Sequence, residues 1–384
     1  MSESLRIGFI PLCDAAALIV AVDKGFCKNE GLDVELVREV SWSNVRDKLN
    51  IGIFDAAHLL SPVAIASSLG LGHVKMPILA PVALGINGNA ITVSPVLYQA
   101  LAAESGGEHA DPLKSAQALA RLIARRKASG AEPYTFGMTF PYSTHNYHLR
   151  FWMAAGGIDP DEDVRLVVLP PPYMVDSLAG KQVDGFCVGA PWNSVAVDQG
   201  AGHILHFVSD ILASASEKVL ALRQSWADEH QDVTTALIRA HHRAALFADD
   251  PANRDEVCAL LAAPTRVDVA AEVIRRTLEG RLKISPDGTM RESRNYLRIG
   301  KDGAARPNPV HAAWLYAQMV RWRQAPLSPA LLAEAKAVFR PDLYDTATGT
   351  SPSSAKVRPA DSVGAFVGPA FDDSDLAKYL SGQR

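Results

Sequence analysis

Residues 5–37 read LRIGFIPLCDAAALIVAVDKGFCKNEGLDVELV, and this stretch decides the fold class. Leu5–Pro11 is a short apolar run ended by proline, which is typical of a buried strand. Asp14–Lys24 has the pattern of a helix with Asp14 as its N-cap, and Gly31–Val37 alternates as a second strand. A strand, a helix and a strand at this spacing predict a βαβ unit and a largely parallel sheet.

The alternation of strands and helices continues along the chain. Ser43–Asn50 has a helical pattern, the strand-like Ile51–Ile53 follows it, and residues from about 95 to 210 form a second α/β unit. After about residue 213 the chain becomes mainly helical, with Gln224–Phe247 as a long helical segment. The last 44 residues, Pro341–Arg384, are rich in Ser, Pro, Asp and Gly and predict an extended tail.

Length and composition narrow the class of protein. A chain of 384 residues is expected to form two domains, and 48% hydrophobic residues are enough for a full core. The 38 basic and 42 acidic residues give a net charge of −4, which argues against a protein that coats nucleic acid or an anionic membrane. The four cysteines stand far apart, so neither a zinc ribbon nor a disulfide framework is expected.

The first residues predict where the protein works. A secretory signal needs a basic start and an uninterrupted apolar stretch, whereas Glu3 is acidic and Pro11 interrupts the apolar run. The apolar run Ala15–Val22 is too short to span a membrane. We therefore expect a cytoplasmic protein with no membrane association.

The sequence carries none of the common enzyme signatures. It has no nucleophile elbow, no P-loop and no H-E-x-x-H zinc motif, and Gly85–Asn89 lacks the spacing of a dinucleotide loop. His145 and His148 have the i, i+3 spacing of a metal pair, but no carboxylate partner stands out. We expect no metal, no cofactor and no enzymatic activity.

Four polar residues stand where predicted strands give way to helices or turns, the positions that line the ligand crevice of open α/β sheets. They are Trp42, Asn89, His145 and Lys218. The first three each supply a neutral hydrogen-bond donor, and Lys218 supplies a full positive charge. Each residue also has an ordinary structural interpretation: a core tryptophan, a turn asparagine, a helix-start histidine and a solvated surface lysine.

These residues lie in stretches that resemble the nitrate- and bicarbonate-binding proteins of cyanobacterial ABC transporters. The likeness runs from the first strand to about residue 340. The stretches that carry it are Ser41-Trp42, Asn87-Gly88-Asn89-Ala90-Ile91, Thr139-Phe140-Pro141 with Thr144-His145, Ala154-Ala155-Gly156-Gly157-Ile158-Asp159-Pro160, Pro170-Pro171-Pro172, and Asp184-Gly185-Phe186-Cys187-Val188-Gly189 followed by Pro191-Trp192-Asn193.

The resemblance implies an α/β, two-lobed, periplasmic-binding-protein-like (type II) fold with a ligand cleft between the lobes, to which the extended C-terminal tail is added. Lobe I is expected to comprise residues 1–95 and 213–340, lobe II residues 96–212, and the tail residues 341–384. The family's ligand positions match Trp42, His145 and Lys218, and Asn89 stands where the transporter proteins have glutamine. In the bicarbonate binders an acidic residue that helps to hold calcium replaces the lysine, so Lys218 favours a bare anion.

The ligand that this resemblance implies is nitrate or nitrite. A closed cleft can hold such a small monoanion if several donors replace water and one cation balances its charge. Because burying Lys218 alone would be costly, we expect the empty cleft to be open and hydrated.

The expected cytoplasmic location makes the chain similar to the NasS-like sensor branch of the family. The resemblance then implies a sensor that sequesters a NasT-like, ANTAR-type RNA-binding antiterminator in the absence of ligand. Nitrate binding would release that partner and so control nitrate assimilation genes, with no direct contact between the sensor and nucleic acid.

Two other functions stay open at the level of the sequence. The first is the substrate-binding subunit of a nitrate ABC transporter, which differs from the sensor by export. The second is an enzyme like the pyrimidine-synthesising thiamine proteins, which share the lobe architecture. Those enzymes are cysteine-rich at their active motif, where this chain has the lone Cys187.

Overall fold

A computed structural model describes residues 3–350 and 363–383 of the chain. Its strands, in chain order, are β1 (Glu3–Phe9), β2 (Leu32–Arg38), β3 (Ala56–Leu60), β4 (Ile78–Asn87), β5 (Asn89–Val93), β6 (Thr135–Met138), β7 (Arg165–Val168), β8 (Gly185–Gly189), β9 (His203–Phe207), β10 (Ser216–Arg223), β11 (Arg281–Lys283), β12 (Met290–Glu292) and β13 (Leu297–Arg298).

The α-helices connect and cover these strands. In chain order they are α1 (Ala16–Asp23), α2 (Phe26–Asn29), α3 (Trp42–Asn50), α4 (Ser61–Leu69), α5 (Pro95–Glu104), α6 (Pro112–Ala128), α7 (Thr144–Ala155), α8 (Met174–Ala179), α9 (Trp192–Asp198), α10 (Gln224–Glu229), α11 (Gln231–Asp249), α12 (Arg254–Ala262), α13 (Ala271–Glu279), α14 (Pro309–Arg321), α15 (Pro329–Val338), α16 (Pro341–Thr348) and α17 (Leu376–Ser381). None of the helices in the described ranges combines the length and the apolar character that crossing a lipid bilayer requires.

Two mixed sheets form the frame of the molecule. One has the strand order β13-β4-β10-β3-β1-β2, and the other has the order β7-β6-β8-β5-β9. β1 pairs in parallel with β2 and β3, and β6 pairs in parallel with β7 and β8, as the βαβ pattern predicts. β4, β5 and β10 run antiparallel to their neighbours, so the prediction of a largely parallel sheet is wrong for those strands.

Each sheet is the centre of one lobe, and the expected α/β two-lobed architecture is confirmed. β3 and β4 are buried along their whole length, as are β5 and β8 in the other sheet. Strands buried in this way have both faces covered by other elements, which suits sheets sandwiched between helices.

The chain crosses from lobe I to lobe II at Asn87 and Gly88 and returns between β9 and β10. These two residues have φ values of 64° and 95°, in the left-handed region that asparagine and glycine tolerate. The Asn87 side chain ties the two crossings together, because its Nδ2 donates to the carbonyl of Ala213 (3.0 Å) and its Oδ1 accepts from the N–H of Ala215 (2.9 Å). β5 therefore belongs to the second sheet, and the first crossing lies near residue 88 rather than at the expected boundary of residue 95.

The two helices that bear the predicted site residues Trp42 and His145 begin at serine caps, and one predicted cap is wrong. The Ser41 hydroxyl accepts from the N–H of Asn44 at the start of α3, and the Ser143 hydroxyl accepts from the N–H of Asn146 at the start of α7. Asp14 lies instead in a 3₁₀ turn before α1 and caps nothing. Its carboxylate is held by partners from other elements, which are described with the site below.

Several other segments differ from the sequence prediction. Ile51–Ile53 is a turn, and the strand of this region is β3. The helix predicted over Gln224–Phe247 is broken at His230 into α10 and α11. The region after residue 213 also contains β10, the β11–β12 hairpin and β13. β10 forms a strand by pairing with β3 and β4, which lie far away in the sequence. A local sequence pattern therefore does not identify it.

The predicted extended tail is partly helical. Its first part forms α16, its last part contains α17, and residues 351–362 of the expected tail lie outside the described residues. The carbonyl of Gly364 accepts from the N–H of Ala213 (2.9 Å), and the indole N–H of Trp314 donates to the Tyr379 hydroxyl (3.2 Å). Residues 363–383 thus pack against both the return crossing and α14.

Candidate functional site

The four residues singled out from the sequence converge in one buried place between the lobes. Trp42 opens α3 and Lys218 lies in β10, both in lobe I, whereas Asn89 opens β5 and His145 lies in the first turn of α7 in lobe II. Nζ of Lys218 is 5.8 Å from the centroid of the Trp42 ring. Burial and the nearby charge of Lys218 hold the pKa of His145 well below its ordinary value. All four side chains are at most 1% exposed.

These side chains present hydrogen-bonding atoms that the other described residues do not satisfy. Nε1 of Trp42, both amide atoms of Asn89 and Nε2 of His145 lack a hydrogen bond of normal geometry. Nζ of Lys218 also lacks an aligned hydrogen bond, although a carboxylate lies beside it. Buried donors cost free energy unless an acceptor meets them. Their convergence therefore indicates a site for an acceptor that is not part of the protein.

The ordinary structural interpretations account poorly for these positions. Lys218 is fully buried rather than solvated. Asn87 and Gly88 form the left-handed turn, and Asn89 belongs to the strand that follows it. His145 does make one structural contact, because its Nδ1 lies 2.9 Å from Oγ1 of Thr139. When Thr139 donates to Nδ1, Nε2 carries the hydrogen and is the nitrogen that donates into the cleft.

Lys218 does not stand alone in the cleft, which corrects an expectation from the sequence. Its Nζ lies 2.8 Å from Oδ2 of Asp14, and Nε2 of His58 lies 3.1 Å from Oδ1 of the same carboxylate. Burial raises the pKa of Asp14, but Lys218 and His58 more than offset it and leave that pKa below its ordinary value. Because Asp14 stays ionised and compensates the lysine charge, a closed cleft does not require a buried, unpaired cation.

Glu217 is a second carboxyl group of the cleft that sequence analysis missed. It is fully buried, its Oε2 accepts from the hydroxyl of Thr144 and lies 3.6 Å from Nζ of Lys218, and its Oε1 lies 3.8 Å from Nε2 of His148. Burial raises its pKa to about 7, although Lys218, Thr144 and the nearby amide of Asn89 lower it.

A β-bulge explains why two consecutive residues of β10 share the cleft. Ser216 pairs with Ile86 and Lys218 pairs with Gly85, so Glu217 is an extra residue on its strand. An extra residue interrupts the strict alternation of side chains and re-aims them. The adjacent charges of Glu217 and Lys218 are visible in the sequence, but the bulge that turns both inward is not.

The histidines of the cleft are uncharged near neutral pH. Burial, assisted by Lys218, lowers the pKa of His148 to about 3, and burial also lowers the pKa of His58. Together with His145, they add polar atoms without adding charge. The fixed charges of the cleft are therefore those of Lys218 and Asp14. Glu217 can gain or lose a proton near neutral pH.

Helix ends add to the field in the cleft. α3 begins at Trp42 and α7 begins at Thr144, so the first turns of two helices from opposite lobes bear site residues. The N-terminus of a helix carries a partial positive charge, and its free N–H groups favour anions. Within the described residues there is no group of three or more His, Cys, Asp or Glu placed to hold a metal ion. Indole, amide, imidazole and ammonium N–H groups are donors, so this set suits an anion.

The two lobes are closed over this site. The indole N–H of Trp192 in lobe II donates to the carbonyl of Pro11 in lobe I (3.2 Å), and the N–H of Cys13 donates to the carbonyl of Ala190 (2.8 Å). Further along the cleft, the Arg46 guanidinium lies 5.3 Å from the centroid of the Phe140 ring. Ligand exchange therefore requires the lobes to separate, which is the hinge motion of two-lobed binding proteins.

Comparisons with known proteins agree with this architecture. Residues 1–262 match the NMT1-like family. The chain is 30% identical to the nitrate/nitrite binding protein NrtA of Synechococcus elongatus over 99% of this chain and 86% of that protein. It is 34% identical to the nitrate import ATP-binding protein NrtC of Synechocystis over 90% of this chain, but it spans only 50% of that protein's length.

A solved structure extends the likeness to three dimensions. The crystal structure of the periplasmic nitrate-binding protein NrtA from Synechocystis PCC 6803 superposes with a TM-score of 0.87 at 28% identity. The match covers 100% of this chain and 99% of the other. The fold described above is thus shared, over the whole chain, with a periplasmic nitrate-binding protein.

Proposed function

This chain belongs to the NMT1-like family, and on that premise we propose that it captures nitrate or nitrite between its two lobes. The observation that carries the proposal is the convergence of unsatisfied donors on Trp42, Asn89, His145 and Lys218 in the closed cleft. Similarity to the nitrate-binding NrtA proteins supports it. These relatives are binding proteins rather than enzymes, and this chain is likewise a binding protein.

The chemistry of the cleft suits nitrate. Nitrate is planar, and its single negative charge is spread over three oxygens, so it needs several donors and little net positive charge. Trp42, Asn89 and His145 offer neutral N–H donors, and Lys218 offers a charged one. The Trp42 ring also gives an apolar wall that excludes water, which strengthens every polar contact inside.

Calorimetric titration of the purified chain tests anion capture. We expect nitrate and nitrite to bind, and chloride and bicarbonate to bind far more weakly, because chloride lacks the shape and bicarbonate brings a hydroxyl group. Heat released by chloride as readily as by nitrate would show general anion binding. No heat with either nitrate or nitrite at any pH would reject the proposal.

We further propose that this chain is a cytoplasmic, NasS-like sensor, which holds a NasT-like antiterminator and releases it when nitrate binds. The resemblance at the motif residues supports the anion site, which this role shares with a transporter subunit, and the sensor role itself rests on the expected cytoplasmic location. A two-lobed protein has the required physical basis, since closing the cleft changes the outer surface that a partner would contact. Anion and partner must then weaken each other's binding by the same factor.

A transporter subunit is the second candidate, and the likeness to NrtA proteins favours it. The two roles are separated by reconstitution with the candidate antiterminator and by cell fractionation. The sensor role predicts a complex that nitrate dissociates and a protein found in the cytoplasmic fraction. A protein found in the periplasm, or a complex that nitrate leaves unchanged, would favour the transporter.

A further inference from the structure

The cleft contains a carboxyl group that anion capture by the four donors does not use. Glu217 is fully buried, and the Thr144 hydroxyl donates to its Oε2. Its Oε1 has no aligned hydrogen bond among the described residues, although the Asn89 amide lies near the carboxyl group and Nε2 of His148 lies 3.8 Å from Oε1. A buried carboxyl oxygen without a donor is costly when ionised, and it becomes a donor itself when protonated.

The positive charge in the cleft is already matched. Nζ of Lys218 lies closer to Asp14 (2.8 Å) than to Glu217 (3.6 Å), and His58 supports Asp14 from its other side. An ionised Glu217 therefore adds a negative charge with no cation of its own. An anion that entered such a cleft would place a second unmatched negative charge in a space from which water is excluded.

No other group facing Glu217 supplies the missing positive charge. Burial and the nearby Lys218 lower the pKa of His145 and His148, and burial lowers that of His58, so all three rings are neutral near pH 7. The titratable and charged groups of the cleft around Glu217, taken by element, are Asp14 before α1, His58 on β3, His145 and His148 on α7, Cys187 on β8 and Lys218 on β10. Burial raises the pKa of the Cys187 thiol, so it stays uncharged.

We propose that Glu217 takes up a proton as the anion enters, so that one proton and one monoanion bind together. The inference rests on the proposed function, since it concerns the anion captured by the same cleft. The neutral carboxyl removes the unmatched charge, and its hydroxyl becomes a further donor beside the anion. Glu217 is thereby a residue that selects for anions without a proton of their own.

The acid–base chemistry of the free cleft agrees with this geometry. Burial raises the pKa of Glu217 to about 7, so the unliganded protein contains both forms near neutral pH. The anion favours the neutral form. By linkage, affinity is full below about pH 7 and falls above it, approaching a tenfold loss for each further pH unit.

Proton uptake by the intact chain is the direct test. Nitrate is titrated calorimetrically at pH 6 and pH 8 in pairs of buffers that differ in ionisation enthalpy, and the slope gives protons taken up per anion. We expect about 0.9 proton at pH 8 and about 0.1 at pH 6. Tight nitrate binding at pH 8 with no proton uptake would overturn the inference.

A matched pair of variants assigns the proton to its residue. Glu217→Gln is a neutral isostere, and it should bind nitrate with an affinity that is the same at pH 6 and pH 8 and without proton uptake. Glu132→Gln removes an exposed carboxylate of lobe II and should keep the wild-type pH dependence. Persistent proton uptake in Glu217→Gln would place the proton on another group and overturn the assignment.

The same measurements separate this inference from the proposal beneath it. If wild-type protein binds neither nitrate nor nitrite at any pH, the proposed function fails. If it binds them equally well from pH 6 to pH 8, the proposed function stands and the proton coupling fails.

Discussion

Lys218 is the residue on which anion capture should depend most. Replacing it by glutamate removes the ammonium and places a third carboxylate beside Asp14 and Glu217. We expect Lys218→Glu to lose about 3 kcal/mol or more of binding free energy, which is more than about a 100-fold rise in the Kd for nitrate. Calorimetric titration measures the loss.

Two control variants test whether the loss of binding comes from an unfolded protein or from a general change of charge. Lys218→Met removes the charge and keeps an apolar stem, so circular dichroism and a thermal melt on this variant report whether the fold survives. Lys114→Glu makes the same charge change on the exposed surface of lobe II, where the partner is Glu108. Nitrate affinity that survived in folded Lys218→Met would remove the lysine from the site.

Replacing Asp14 by asparagine should lower the stability of the unliganded protein and increase its stabilisation by nitrate. In Asp14→Asn the buried charge of Lys218 loses its nearer carboxylate and keeps only Glu217, at 3.6 Å, which should lower the free energy of unfolding by up to about 3–5 kcal/mol without anion. Nitrate then becomes the partner of Lys218, so the rise in Tm on adding nitrate should exceed that of the wild type. Differential scanning calorimetry with and without nitrate gives both quantities.

The control for Asp14 is Asp33→Asn, which removes an exposed carboxylate on β2 and should change neither quantity. A nitrate-induced shift in Tm that was smaller in Asp14→Asn than in wild type would contradict the prediction. It would show that Asp14 contributes to holding the anion rather than to holding the lysine.

At the scale of single residues, the sequence predicted the hydrogen-bond donors of the site better than it predicted the carboxylates. Trp42 and His145 follow helix-capping serines, and Lys218 comes just before the apolar run of β10, so their chemistry and positions in the sequence mark them. Asp14 precedes an apolar helical run and therefore has the pattern of an N-cap. Its true partners, Lys218 and His58, lie on two distant strands, and no local pattern records that meeting.

At the scale of elements, the first crossing between the lobes is the most constrained segment. Gly88 has a φ of 95°, and a Cβ atom placed on it would lie 2.9 Å from Cδ1 of Leu297. We expect Gly88→Ala to lower the free energy of unfolding by about 1–3 kcal/mol, through both strain and overpacking. Urea unfolding followed by tryptophan fluorescence measures it.

Gly106→Ala is the matched control for the crossing. Gly106 also has a positive φ, of 64°, but a Cβ there meets nothing within 4 Å, so only backbone strain of about 1 kcal/mol is expected. Equal losses in the two variants would mean that contact with Leu297 does not constrain the crossing.

Helices and strands whose stabilising contacts lie close in the sequence were predicted better than those that depend on distant partners. α3 (Trp42–Asn50) agrees to within one residue with the helix predicted over Ser43–Asn50, because its serine cap is a local signal. β10 escaped prediction because it is a strand only between β3 and β4, which come much earlier in the chain. β10 is also the strand that brings Glu217 and Lys218 into the cleft. Because the strand was not predicted, the charge balance of the site was not predicted either.

At the scale of the whole molecule, the two crossings and residues 363–383 connect the lobes, beside ion pairs such as those of Asp198 in lobe II with Arg276 and Lys283 in lobe I. The two crossings are tied by the amide of Asn87, and residues 363–383 lie against the return crossing through Gly364 and against lobe I through Tyr379. The crossings are the segments about which the lobes can move, and the ties between them restrain that motion. The free energy that holds the cleft shut must come from contacts that form only on closure, together with the anion.

Arg46 makes such a contact, since its guanidinium lies over the Phe140 ring of the opposite lobe at 5.3 Å from the centroid. A cation–π contact of this kind contributes about 0.5–1 kcal/mol. We expect Arg46→Gln to bind nitrate about two- to fivefold more weakly. The change should appear as faster dissociation in stopped-flow fluorescence, because the open form that the anion enters is unaltered.

Arg126→Gln is the matched control for closure. It also removes a guanidinium from above an aromatic ring, that of Tyr134 at 4.3 Å from the centroid, but both partners belong to lobe II. Its nitrate dissociation rate should equal that of the wild type, because opening the lobes leaves this contact intact. Equal acceleration in the two variants would mean that the contact between Arg46 and Phe140 does not resist opening.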